Sequence, residues 1–127
     1  MAPWKLWHHA AMSPELQPLI QALRTFALER DWAQFHAPKN LACALSVEAA
    51  ELLEHFQWLT EEQSRALEGQ RKQAVATEAA DVFLYLLQLC DQLDIDLMAA
   101  AWDKLQVNAE KYPVPAARGN SRKYNEL

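Results

Sequence analysis

Two acidic pairs, Glu48-Ala49-Ala50-Glu51 and Glu78-Ala79-Ala80-Asp81, interrupt the most apolar stretches of this sequence. Each pair is spaced i, i+3, so on an α-helix both carboxylates project from one face. Glu48 and Glu51 share their stripe with Leu41, Ala44, Leu52 and His55. Glu78 and Asp81 share theirs with Ala74, Val82, Tyr85 and Leu89. A solvated acidic face is not interleaved with leucines. Carboxylates that face a core must be protonated, hydrogen-bonded or bound to a cation. Four of them converging suit a hard divalent metal with oxygen ligands, and Mg²⁺ is the natural candidate. The other reading is a satisfied structural network with no metal.

Further residue types bear on that choice. Glu54 makes a second ExxE with Glu51 but points away from the Leu41/Leu52 stripe, which leaves it the weaker ligand. A di-iron carboxylate bundle needs Glu-x-x-His pairs. His55 lies four residues after Glu51 and no histidine follows Glu78 or Asp81, so iron is disfavoured. Trp32, Trp58 and Tyr85 each read, taken alone, as core aromatics before base-stacking platforms. His36 stands on a loop, and His8 and His9 on a terminal segment expected to be mobile. Arg118, Arg122 and Lys123 concentrate positive charge near the end of an acidic chain of net charge −5. Alone, that cluster reads as solvated charge.

Composition narrows the class. One domain is expected from 127 residues, and a sequence with only two glycines fits long helices better than a sheet protein. The negative charge argues against binding a nucleic-acid polymer or an anionic membrane. Cys43 and Cys90, isolated in apolar helical runs, read as buried free thiols of a reducing compartment. Residues 1–12 carry Lys5 without an apolar core, so no signal peptide is expected, and the run from Ala79 to Cys90 is too short to span a bilayer. A cytoplasmic location follows as the default.

The elements that must position the acidic pairs are helices. Ser13-Pro14-Glu15 marks a helix start, and Leu16, Leu19, Ile20, Leu23, Phe26 and Ala27 keep helical period to about residue 31. Pro38 opens a second helix to about 59, which carries the first pair. Thr60-Glu61-Glu62-Gln63 matches a capping box and opens a third over about 61–92, bent or broken near Gly69. Its second half is apolar nearly all round, so other helices must surround it, within the domain or across a subunit interface. Asp94 or Asp96 caps a fourth over about 97–111, ended by Tyr112-Pro113. The expected organisation is an N-terminal segment, 1–12, a four-helix all-α domain, 13–113, and a basic tail, 114–127, with little core-forming content.

Several blocks stand around the acidic pairs: Glu29-Arg30-Asp31-Trp32-x-Gln34-Phe35-His36-x-Pro38-x-Asn40-Leu41, Phe56-Gln57-Trp58, Asp81-Val82-x-x-Tyr85-Leu86, Lys104 to Pro113, and Ser121-Arg122-Lys123-Tyr124-x-Glu126-Leu127. In this order they resemble the all-α nucleoside triphosphate pyrophosphatases related to MazG, nearest to the dCTP pyrophosphatase branch, over residues 14–127. The resemblance implies cleavage of a deoxynucleoside triphosphate, foremost dCTP or a modified dCTP, to the monophosphate and pyrophosphate. It implies Glu48, Glu51, Glu78 and Asp81 as catalytic Mg²⁺ ligands. It places Trp32, His36, Trp58 and Tyr85 on the nucleotide, with Asn108, Lys111, Arg122 and Lys123 on the phosphate side. Relatives of this kind form homodimers, or tetramers built from dimers. Leu23 falls where vertebrate members carry a substrate-contacting histidine, a departure that bears on base preference. The residues Gly69 to Ala76 also lack a long loop that some relatives insert. The alternatives are dUTP or a broad set of triphosphates on the same fold and, from another class, a non-catalytic helical interaction module.

Overall fold

Prolines and capping side chains decide where the helices begin in the computed structural model, which describes residues 14–127. The expected mobile segment 1–12, with His8 and His9, lies outside the described residues. The described chain divides into two compact units, residues 14–93 and 94–127.

The first unit holds α1 (Gln17–Glu29), α2 (Pro38–Glu54), the short α3 (Glu61–Arg65) and α4 (Gly69–Gln92), with a single 3₁₀ turn at Ala33–Phe35 between α1 and α2. Helix α1 starts three residues later than the sequence suggested: residues 14–16 form a turn, and the first-turn proline is Pro18 rather than Pro14. Ser13, the expected cap, is outside the described residues. Helix α2 opens on Pro38 as expected but stops at Glu54, not near 59. Past that point the His55 and Phe56 N–H groups bond the Leu52 and Leu53 carbonyls, at 3.3 and 2.9 Å, which is i→i−3 winding. No glycine or proline marks this stop. The capping box is present: the Gln63 N–H donates to Thr60 Oγ1 at 3.1 Å and the Thr60 N–H to Gln63 Oε1 at 3.0 Å. Residues 66–68 then break the expected third helix, and α4 begins at Gly69 with φ +56°, a left-handed conformation that glycine takes without penalty.

Helix α4 is the unit's centre. It packs most extensively on α2 and, less, on α1. Ile20 of α1, Leu41 of α2 and Leu87 of α4 are almost fully buried, together with Ala27 and Cys90. Arg24 on α1 grips Asp91 on α4 through both carboxylate oxygens, its Nε 2.8 Å from Oδ2. The expectation that α4 is enclosed on every side fails within this chain, since Phe83 is exposed. Cys90 is buried as expected, and burial pushes its thiol pKa up. Cys43 is exposed instead, on the α2 face that also shows Ser46, Val47 and Leu53 to solvent.

The second unit holds α5 (Leu97–Lys111), the four-residue α6 (Val114–Ala117) and a 3₁₀ turn at Tyr124–Glu126. Asp96 is the cap, its Oδ1 accepting from the Ala99 N–H at 3.1 Å. The segment after α5 was given no element of its own by the sequence, yet Tyr124 meets Tyr112 edge-on at 6.3 Å, and the Lys111 ammonium lies 4.7 Å from the Tyr124 ring centre. Among the described residues there is no strand.

The end of α1 carries a strained residue with a job. Asp31 has φ +54°, its N–H bonds the Leu28 carbonyl at 3.2 Å, and the Trp32 N–H reaches back to the Ala27 carbonyl at 2.9 Å. This is a Schellman cap with aspartate where glycine is commonest. A branched side chain at that φ is a steric outlier. Asp31→Val is therefore expected to lower unfolding stability in urea by about 1–2 kcal/mol, whereas Asp31→Gly should not, although both lose the Gln34–Asp31 side-chain bond.

Candidate active site

The acidic pairs face each other across the α2–α4 contact. One carboxylate oxygen each from Glu48, Glu78 and Asp81 lie within 4.8 Å of one another, and all three side chains are half-buried. Glu51 stands beside Glu48, within hydrogen-bond reach, but outside that tight triad. Glu54 is exposed, as its place off the stripe suggested.

The electrostatics are those of an incomplete site. Glu48 Oε2 and Glu78 Oε2 are shielded from solvent and have no hydrogen-bond partner. Ionised carboxylates only accept, so they cannot satisfy one another without a shared proton or a cation. The Glu48 pKa is accordingly pushed up to about 7. The largest cause is the hydrogen bond it shares with Glu51 when protonated, followed by desolvation, the charge of Glu51, a like bond with Glu78 and the charge of Asp81. Three half-buried carboxylates in reach of one another, two of them with an orphaned oxygen, are the donor set a hard divalent cation takes. The residues fit a metal.

Against the Asp81 end of this cluster opens a cavity of about 380 Å³ between α1, the 3₁₀ turn and α4. Leu19, Leu23, Phe26, Trp32, Leu84 and Tyr85 supply most of its wall, and His36, Asp81 and Gln88 are its other polar members. The size and the apolar lining with a few polar groups suit a small organic ligand. Trp32 is placed by the Schellman cap: as the residue after Asp31 it turns back on Phe26, ring centres 5.6 Å apart and edge-to-face. His36 stands edge-on to Trp32 at 6.5 Å. Gln34 Nε2 donates to the Asp31 carbonyl at 3.0 Å, and Asn40 Nδ2 to the Phe35 carbonyl at 3.1 Å, which pins the loop to the first turn of α2.

Trp32, His36, Tyr85 and Asp81 are thus brought to one cavity. Trp58 is not. It is 87% exposed, which overturns the reading of it as a core aromatic, and it does not line the cavity. Trp32 is likewise too exposed for plain core, at 44%. Asn108 is half-buried and Lys111 exposed on α5, and Arg122 and Lys123 are exposed beyond it; all four belong to the 94–127 unit. Gln88, missed by the sequence reading, lies seven residues after Asp81 on one face of α4. That spacing is the signal that was available.

A MazG-like family model matches residues 43–127. Human dCTP pyrophosphatase 1 is 40% identical over 116 residues, covering 90% of this chain and 68% of its own length. The rat protein of the same name is 38% identical over the same spans. A crystal structure of a pyrophosphatase from Archaeoglobus fulgidus superposes with a TM-score of 0.74 at 40% identity, covering 82% of this chain and 97% of that one. The chain belongs to the MazG-like family.

Glu48 gives a pH test. With its folded pKa raised from 4.5 to about 7, the native metal-free state holds a proton that the unfolded chain releases. Its stabilisation is therefore full below the unfolded value and is lost as pH rises through the folded one. In EDTA, Glu48→Gln is expected to match wild type near pH 4 and to melt at higher temperature than wild type at pH 8. Parallel melting curves across that range would contradict the assignment.

Proposed function

We propose that the chain is a Mg²⁺-dependent nucleoside triphosphate pyrophosphohydrolase that takes dCTP or a 5-modified dCTP. Water adds across the α–β phosphoanhydride, and the products are the deoxynucleoside monophosphate and pyrophosphate. The observation carrying this reading is the junction of the Glu48/Glu78/Asp81 cluster with an aromatic cavity that Asp81 itself enters.

Each side chain has a task. Glu48, Glu78 and Asp81 would hold the cation, with Glu51 beside Glu48 completing the acidic set. Bound there, Mg²⁺ supplies charge neutralisation and Lewis acidity to the phosphate oxygens. Trp32 and Tyr85 offer ring faces to a base, and the surrounding leucines keep water out of the slot. His36 borders the same slot. Arg122 and Lys123, with Lys111 and Asn108, carry charge and polarity of the kind a triphosphate recruits. Leu23, an apolar residue in the cavity wall, favours a second reading in which dUTP or several triphosphates are accepted. A non-catalytic module has no use for carboxylate oxygens left without partners.

The chain acts as a homo-oligomer, dimer or tetramer, in a cytoplasmic setting. Trp58, Leu53 and Phe83 are large apolar groups left in solvent by this chain alone, and a second copy is the natural cover. No described helix is long and apolar enough to cross a membrane.

Incubation with the four standard dNTPs and 5-methyl-dCTP plus Mg²⁺, resolved by ³¹P NMR, is expected to give monophosphate and pyrophosphate, fastest from the cytosine nucleotides. Diphosphate with orthophosphate would refute the bond assignment. Glu51→Gln and Asp81→Asn are expected to lose Mg²⁺ affinity and turnover together while keeping the helical far-ultraviolet signal; unchanged Mg²⁺ dependence in both would remove the proposed site. Light scattering on the eluting protein should return at least twice the chain mass of 14.5 kDa.

A further inference from the structure

Helix α4 runs along the cavity as a ruler. Asp81, Tyr85 and Gln88 all line it. At 1.5 Å rise per residue, Tyr85 stands about 6 Å beyond Asp81 and Gln88 about 10.5 Å. A nucleotide lying along α4 with its phosphates at the acidic cluster would carry its base past the Tyr85 ring, because ribose separates phosphate from base. On that path the edge of the base would reach Gln88.

Gln88 is chemically fitted to that position. Its carboxamide makes no hydrogen bond to any described residue. It is half-buried in the cavity wall beside Leu23 and Leu84, with its amide free to meet a ligand. The other polar groups of the cavity have different places. Asp81 belongs to the acidic cluster, Tyr85 sits a turn nearer to it, and His36 stands edge-on to Trp32. A carboxamide offers an acceptor and a donor side by side, which is the complement of the cytosine edge. Gln88 also lines a second, smaller cavity of about 30 Å³, together with Arg24 and Asp91, the ion pair tying α1 to α4.

We infer that Gln88 is the specificity-determining residue for the base: its Oε1 accepts from the 4-amino group of cytosine and its Nε2 donates to ring N3. This rests on the pyrophosphohydrolase reading and adds to it the group that tells cytosine from bases lacking that edge. A site built to hydrogen-bond a substrate group discriminates against ligands without it, because the protein group is then left unpaired.

The test is a double-mutant cycle in which one change is made in the ligand. Binding of α,β-methylene-dCTP and of its 2-pyrimidinone counterpart, which lacks the 4-amino group, is measured with Mg²⁺ on the full chain. Wild type is expected to prefer the cytosine analogue by roughly five- to tenfold, the scale of one neutral hydrogen bond. Gln88→Met should erase that preference, raise KM for dCTP with little change in kcat, and leave Mg²⁺ affinity as it was. Equal loss on both analogues makes Gln88 structural and overturns the inference. So does a wild type without preference, a result that needs no variant to fold. A wild type that cleaves dCTP but shows either pattern overturns Gln88 alone. One that binds neither analogue and forms no monophosphate overturns the pyrophosphohydrolase reading, and this inference with it.

Discussion

The mutual repulsion of carboxylates across the α2–α4 contact is the constraint on which the rest of the unit 14–93 depends. Glu48, Glu78 and Asp81 cannot all be ionised, close and half-buried unless something positive lies among them. The helices hold them together by burying Leu41 on one side and Leu87 on the other, and by the Arg24–Asp91 grip between α1 and α4. Packing thus supplies what the acidic cluster lacks. In the metal-free chain, below a pH of about 7, a proton on Glu48 relieves the repulsion. The same oxygens that are orphans without a cation would become ligands with one, so the cost and the proposed use of the site are a single feature.

The aromatic side of the site depends on backbone more than on side-chain chemistry. Trp32 reaches the cavity because α1 ends in a Schellman cap, which turns the chain and returns the residue after Asp31 onto Phe26. Gln34 and Asn40 then fix the loop by bonding backbone carbonyls at Asp31 and Phe35. The block from Asp31 to Asn40 is therefore mostly a positioning device, and only Trp32 and His36 of it line the cavity. On the opposite wall, α4 needs no such device. Helical spacing alone aligns Asp81, Tyr85 and Gln88.

What could be read from sequence follows the same division. The acidic pairs were legible because charge within an apolar helical stripe conflicts with burial, and a conflict of that kind has few resolutions. The capping box at Thr60 and the cap at Asp96 were legible because they are local hydrogen bonds between near neighbours. The end of α2 was not, because His55 and Phe56 change from α to 3₁₀ winding with no glycine or proline to mark it. Nor was the exposure of Cys43 and Trp58, since an apolar residue on a helix reads as core whichever face it occupies. Gln88 escaped notice because a lone glutamine in an apolar run carries no sign of what lies across from it. The cavity gave it meaning, and the cavity is made by α1.

The exposed residues complete the argument. Among the described residues the fully buried side chains are few, and large apolar groups such as Trp58, Leu53 and Phe83 are exposed in the single chain. A unit that devotes half-buried positions on α2 and α4 to acids gives up hydrophobic burial there, and must recover stability by other means. Two are available, and both act by mass action. A cation bound to the folded cluster would stabilise the native state, and so would a second copy covering exposed apolar groups. Neither binds the unfolded chain in the same way. On the proposed function, binding and stability would therefore be coupled: conditions that load the acidic cluster would also be those in which the helices around it hold best.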